Sequence, residues 1–211
     1  MAQRDILEEL AKKEIKADDL ATEVVSNLDM LPSIIKGISS EKPEVRFGCA
    51  KILRTVSRER PDALYPDMHF FIDLLDSDNN IIRWNAMDVV ANLTRVDSEK
   101  KFEDVFHRYY ALLEDESMVT AAHVVDNSGK IAMAKPHLAL KITRELLKVE
   151  EISRNSECVN ILSGKAILAF EEYFELIENK KEVMAFAKRQ LKSTRPATRK
   201  KAEKFVKKAE E

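Results

Sequence analysis

The chain repeats itself. Shifting the sequence by 37 residues lays Glu44–Val45–Arg46–Phe47–Gly48–Cys49–Ala50–Lys51–Ile52–Leu53 over Ile81–Ile82–Arg83–Trp84–Asn85–Ala86–Met87–Asp88–Val89–Val90. Arg46 falls on Arg83, Phe47 on Trp84, Val56 on Leu93 and Arg58 on Arg95. The preceding segment keeps the same offset, with Leu31, Ile34, Ile35 and Ile38 falling on Met68, Phe71, Ile72 and Leu75. A period of this length marks units that cannot bury their apolar faces alone and must stack on their neighbours.

The repeating unit is helical. Val45, Cys49, Ile52, Leu53 and Val56 stand at i, i+4, i+7, i+8 and i+11, one apolar stripe of an α-helix. With only four glycines and six prolines in 211 residues, long uninterrupted helices are easily accommodated. A third unit opens with Val105, Tyr109, Leu112 and Leu113, and its Leu112–Leu113–Glu114–Asp115 echoes Leu74–Leu75–Asp76–Ser77. A fourth matches the third at an offset of 35, laying Ser128–Gly129–Lys130 over Ser163–Gly164–Lys165 and His123 over Cys158. A fifth begins at Pro196–Ala197–Thr198–Arg199, spaced like Pro43–Glu44–Val45–Arg46, and continues through Ala202, Phe205, Val206 and Ala209. The pattern predicts helices over 4–14, 18–28, 31–39, 44–59, 65–76, 80–95, 101–114, 117–134, 137–148, 156–178, 181–193 and 197–209. The expected fold is all-α, an α-solenoid of about five antiparallel helix pairs with an N-terminal helical cap. It is expected to form a single domain, 1–211. The cap covers 1–30, and the repeats cover about 31–59, 64–96, 101–134, 136–178 and 180–209.

Three features make the chain resemble the HEAT-repeat family, including small prokaryotic HEAT proteins whose function is not established. They are the turn acids Asp76 and Asp78 before Ile82–Arg83, the Pro-x-x-Arg openings at Pro43 and Pro196, and the small residue three places after the arginine (Cys49, Ala86, Ala202). The resemblance covers about residues 31 to 209. It implies that a turn aspartate (Asp76 or Asp78) and second-helix arginines (Arg46, Arg83, Arg199) tie successive repeats together. The third unit departs, with Thr120 at the arginine position. HEAT proteins include adaptors, scaffolds, transport receptors and a few enzymes, so the fold leaves the function open.

Composition removes several alternatives. The longest apolar stretches, such as 31–35 and 166–170, fall far short of the ~20 residues that span a bilayer. The charged N-terminus lacks a signal-peptide core. Cys49 and Cys158 lie far apart inside apolar helical patterns, which reads as two buried thiols in a reducing cytoplasm. The net charge is −2, but residues 180–211 hold twelve Lys or Arg against four Glu, so the rest of the chain is acidic. Such asymmetry can mark a partner-binding end.

One helix face draws attention. At about 100° per residue, Phe47, Lys51, Arg54 and Arg58 fall within about 60° of one another, opposite the apolar stripe. Trp84, Asp88, Ala91 and Arg95 occupy the same face one unit later. In HEAT stacks the second helices line the concave side, so aligned aromatics and arginines there would suit a protein or peptide partner; the alternative is that both rings pack beneath turns between repeats. The basic end offers Lys188, Arg189, Lys192, Arg195, Arg199, Lys200, Lys201 and Lys204 as a nucleic-acid-associated alternative, against a plain solvated cap. Trp84 with Asp88 also has a two-residue likeness to HEAT-type DNA-repair glycosylases, but the first three units lack the basic track that DNA needs.

The remaining motifs are weaker. Ser128–Gly129–Lys130 and Ser163–Gly164–Lys165 lack the spacing and strand of a P-loop, so both glycines read as points of close helix approach. His69, His107, His123 and His137 never stand at i, i+4, so no metal site is expected. His123 is expected to be partly buried. The sequence thus predicts a cytoplasmic, non-catalytic interaction module without cofactor or metal, whose oligomeric state is not legible.

Overall fold

The computed structural model describes residues 5–210, and all statements of structure concern these residues. It contains no strand. The residues group into two compact units, Met1–Phe102 and Glu103–Glu211.

The first unit opens with α1 (Ile6–Ala11) and α2 (Ala17–Ser26). The Asp5 carboxylate caps α1 by accepting from the amides of Leu7 and Glu8, each at 3.1 Å. The first helix was expected over 4–14, but it ends at Ala11, with Lys13 at φ 58°, a left-handed conformation that breaks the helix. The expected start at residue 4, like the outermost residues of the cap and residue 211, lies outside the described residues. Next come α3 (Leu31–Gly37), α4 (Pro43–Glu59), the short α5 (Pro61–Leu64), α6 (Met68–Asp73) and α7 (Asn80–Leu93). The turn α5 was not anticipated. It forms because Pro61 presets the helical φ, and Leu64, fully buried, anchors it.

The 37-residue period is visible in the backbone. One 3-10 turn, Leu28–Met30, leads into α3, and another, Tyr65–Asp67, leads into α6. The second helices α2, α4 and α7 pack side by side, and α3 and α6 back them. The predicted stripe of α4 is the core: Val45, Cys49, Ile52, Leu53 and Val56 are all buried, none more than 3 % exposed. Burying each such aliphatic side chain contributes about 1.5–3 kcal/mol. Polar groups buried between α4 and α7 are paired, with the Asn92 amide donating to Ser57 Oγ at 2.9 Å and that hydroxyl donating to the Arg54 carbonyl at 2.8 Å.

The second unit starts within α8 (Lys101–Ala111) and continues through α9 (Met118–Ala134), α10 (Ala139–Leu147), α11 (Ser156–Tyr173), α12 (Lys180–Gln190) and α13 (Pro196–Glu210). Here α9, α11 and α13 are the adjacent second helices. The core is more aromatic, with Phe106, Tyr109, Tyr110, Phe170, Tyr173, Phe186 and Phe205 all buried. Two tyrosine hydroxyls are satisfied inside it, Tyr110 with Ser128 Oγ at 3.1 Å and Tyr173 with Thr143 Oγ1 at 3.0 Å. Burial raises both phenols above their ordinary pKa.

Both expected glycine contacts are present. A Cβ on Gly129 would stand 3.0 Å from Glu172 Cβ on α11, and a Cβ on Gly164 would stand 2.7 Å from Thr198 Oγ1 on α13. Glycine at these two positions lets neighbouring second helices approach closely. The cysteines behave differently from each other. Cys49 is fully buried, and burial pushes its thiol up to about 12. Cys158 is only half-buried, which corrects the expectation of two buried thiols. It sits in the first turn of α11, capped by Asn155, where one flank faces out.

Candidate functional site

The turns that join helices within a unit explain the Pro-x-x-Arg signature. Arg46 Nη1 donates to the Ser40 carbonyl at 3.0 Å, and Arg199 Nη1 donates to the Ser193 carbonyl at 2.6 Å. In both cases the guanidinium reaches back six residues. Proline starts the helix and the arginine fastens the turn before it. These bonds lie within a unit, so the expected link between repeats is not what Arg46 and Arg199 provide. Arg83 donates to the nearby Asn80 side chain. Where Thr120 replaces the arginine, Arg154 from the following turn substitutes. Its guanidinium donates to the carbonyls of Leu113, at 3.4 Å, Glu116, at 3.2 Å, and Asp115. The next turn is held through a side chain instead, Arg189 Nε and Gln190 Nε2 of α12 donating to the Glu150 carboxylate at 3.1 and 2.6 Å.

The α4/α7 face is built as follows. Phe47, Lys51, Trp84 and Asp88 are half-buried, while Arg54, Arg58 and Arg95 are exposed. Ala91, expected on this face, is fully buried, because α7 is gripped from α4 and α5. The charged members are engaged. Arg54 pairs with Asp88 at 3.5 Å, Lys51 with Asp18 of α2 at 2.8 Å, and Arg58 with Glu59 at 2.9 Å. Arg95 Nη1 donates to the Arg58 carbonyl at 3.1 Å. The Arg46 guanidinium lies 5.0 Å from the Phe47 ring centroid. The Lys51–Asp18 and Arg54–Asp88 pairs therefore stitch neighbouring second helices together, and the aromatics remain partly open between them.

The second unit carries an equivalent face that the sequence reading overlooked. On α9 the outward stripe is Val119, His123, Asp126, Lys130 and Met133. On α11 it is Ile161, Lys165, Leu168 and Glu172. Met133 and Leu168, 55 % and 40 % exposed, stand in register at the 35-residue offset. Asp126 and Lys165 pair across the two helices at 2.5 Å.

Most of the basic end is occupied. Lys188 pairs with Glu210 at 2.8 Å, Arg189 with Glu150, Arg195 with Glu157, and Lys204 with Glu171 at 3.7 Å, while Arg199 is held by its turn. Lys201 is half-buried; burial, then the neighbouring Lys165, push its ammonium below the usual lysine range. Lys192 and Lys200 project into solvent. Elsewhere in the unit, Glu103 accepts from Lys135, which is buried, and from His137 Nε2, at 3.0 and 2.8 Å. Burial pushes the Glu103 carboxyl up, but these two partners outweigh it and hold it below the ordinary value.

A groove of about 1030 Å³ opens between the end of α11, α12 and the end of α13. Met133, Phe174, Leu176 and Met184 supply its apolar surface, over the buried ring of Phe205. Phe174 and Phe205 meet edge to face with ring centroids 5.3 Å apart. The sequence places Phe205 in the apolar stripe of α13 and the structure buries it there, while Met133, Phe174, Leu176 and Met184 carry no signal of their own in the sequence.

No helix among the described residues is long and apolar enough to cross a membrane. No protein-family model matches the chain, and no curated protein matches it significantly. Among solved structures it is similar to the designed armadillo repeat protein YIII(Dq)4CqI, at 16 % identity and a TM-score of 0.59, covering 98 % of this chain and 95 % of that one. It is similar to a second designed armadillo repeat protein, YIII(Dq.V1)4CPAF, in complex with the peptide (KR)4, at 14 % identity and a TM-score of 0.59, covering 95 % and 90 %. An engineered protein is similar at 16 % identity and a TM-score of 0.50, over 98 % and 97 %. At these identities the likeness concerns the fold, and that fold is an all-helical repeat solenoid.

Proposed function

We propose that this chain is a non-catalytic scaffold of HEAT-like two-helix units, acting as one stack over 1–211 in a reducing cytoplasm. It binds a protein or peptide along the face made by its second helices, the concave side in stacks of this kind. The contact residues in the first unit are Phe47, Lys51, Arg54 and Arg58 on α4 and Trp84, Asp88 and Arg95 on α7. One observation carries the reading: two aromatic side chains at the same register of adjacent repeats remain partly exposed, while Lys51 and Arg54 beside them are fixed by pairs between helices. Pre-ordered side chains around aromatic anchors lose little entropy on binding. A solenoid of similar fold captured with a peptide adds support. The contact residues hold four cations, Lys51, Arg54, Arg58 and Arg95, against one acid, Asp88, so an acidic peptide is the complementary choice for this face.

The test is binding of a labelled Glu-rich peptide by fluorescence anisotropy. The double variant Phe47→Ala/Trp84→Ala should weaken binding by about tenfold or more. Its thermal midpoint should stay within a few degrees of the parent's. A severe loss of stability with unchanged binding would show instead that both rings are packing residues. The nucleic-acid reading of the basic end is not adopted, because four of its eight cations are already in ion pairs within the protein and Arg199 is held by its turn. The glycosylase reading is set aside too, since the Asp88 carboxylate is committed to Arg54.

A further inference from the structure

We propose that Lys201 of α13, with Lys165 of α11 beside it, is a binding subsite for one carboxylate side chain of an acidic peptide. Both residues lie in the second unit, so the subsite does not depend on the Phe47/Trp84 face.

Placement supplies the first argument. Lys201, Lys204 and Lys208 stand at i, i+3 and i+7 on one face of α13. Lys204 and Lys208 both reach Glu171 of α11, at 3.7 and 3.0 Å. Lys208 meets that acid at a separation of 37 residues, and at the same separation Lys201 meets Gly164. A Cβ on Gly164 would stand 3.5 Å from Lys201 Cδ, so the lysine stem lies against α11 where there is no side chain to answer it. Lys201 is half-buried and forms no hydrogen bond or ion pair among the described residues.

Charge sets the valence of the occupant. The charges that act on Lys201 are Lys165, Asp126 and Arg195. Asp126 is taken by Lys165 at 2.5 Å, and Arg195 holds Glu157. Three cations thus face two acids, both engaged, and one positive charge is left uncompensated. Other acids of these helices lie elsewhere. Glu172 is two turns along α11 from Lys165, with its carboxylate over Gly129 of α9, and Glu203 is about 200° around α13 from Lys201. A partly desolvated ammonium without a counter-charge is unfavourable, and a carboxylate entering beside it gains a charge-assisted bond. One monoanion neutralises the site. A nucleic-acid strand needs a row of free cations, and on this face Lys204 and Lys208 are committed to Glu171. Leu168, 40 % exposed and one turn beyond Lys165, offers an apolar contact suited to a peptide side chain.

Competitive acylation of the full chain reads the site directly, with limiting acetic anhydride and mass spectrometry of each lysine. The probe is a short peptide with one Glu between two Leu in a Ser/Gly background, beside its Gln counterpart. The Glu peptide should slow acylation of Lys201 several-fold and leave Lys192, which projects into solvent, unchanged. The Gln peptide should protect with about tenfold lower affinity. Lys201→Met keeps the stem and removes the charge. In the Phe47→Ala/Trp84→Ala background it should weaken the Glu peptide about tenfold by fluorescence anisotropy, and Lys201→Arg should restore most of the affinity. Protection of Lys201 should persist in Phe47→Ala/Trp84→Ala, so failure of the first-unit reading and failure of this one are distinguishable. Equal protection by the Glu and Gln peptides overturns the proposal. So does protection lost in Phe47→Ala/Trp84→Ala, or none at about 5 mM Glu peptide. Stronger protection by inorganic phosphate or an oligothymidylate than by the Glu peptide overturns it in favour of a phosphate site.

Discussion

Arg154 shows how much one side chain can do that no local pattern announces. It fastens a turn belonging to the preceding repeat through three backbone carbonyls. Charge-assisted bonds of this kind are stronger than neutral ones, and their loss leaves acceptors poorly satisfied. Arg154→Ala should therefore destabilise the chain by about 1–3 kcal/mol in urea unfolding, whereas Arg144→Ala, on an exposed helix surface, should change stability by less than about 0.5 kcal/mol. Equal small effects would mean that water replaces the guanidinium without cost. The cysteines offer a simpler reading at this scale. With Cys49 fully buried and its thiol pushed up to about 12, only Cys158 should react rapidly with a thiol reagent at neutral pH. Titration in denaturant should then reveal the second thiol.

At the level of helices, spacing between second helices depends on what is missing. Gly164 faces Thr198, whose hydroxyl donates to the Asn160 carbonyl at 2.7 Å. Thr198 is buried and short, so it cannot swing away from an added methyl group. Helix propensity alone would favour Gly164→Ala by up to about 1 kcal/mol, but overpacking costs about 1–3 kcal/mol. The expected outcome is a net loss of stability, measured as a lower urea midpoint. A gain would show that α13 shifts freely on α11. The paired serine–glycine–lysine segments were legible as close-approach points because glycine inside a helix is unfavourable without a reason. The missing arginine at Thr120 was legible too, but its replacement was not, because the substitute lies 34 residues on and meets the turn only through the stacking of repeats.

For the molecule as a whole, stability resides in the apolar stripes rather than in the many ion pairs. Those pairs are mostly exposed, such as Lys51–Asp18 and Lys188–Glu210. Exposed pairs contribute about 0–1 kcal/mol each and are screened by salt. Raising NaCl from about 0.05 to about 1 M should accordingly shift the thermal midpoint by only a few degrees. A fall of tens of degrees would reverse this ranking.

The sequence alone determined the all-helical repeat solenoid, the positions of nearly every helix and the core stripes. It could do so because apolar period and repeat offset are properties of the chain itself. It also placed Phe47 and Trp84 at one register. It did not determine how open they are, since exposure depends on how closely α7 is gripped by its neighbours. The groove was equally out of reach. Its surfaces come from Met133 on α9 and from residues of α11, α12 and α13 and the turn after α11, including Phe174, Leu176 and Met184. They are far apart along the chain, and each has an ordinary place in its own helix. Only the tertiary packing of the second unit leaves a gap between them and decides which of the surrounding charges are already paired.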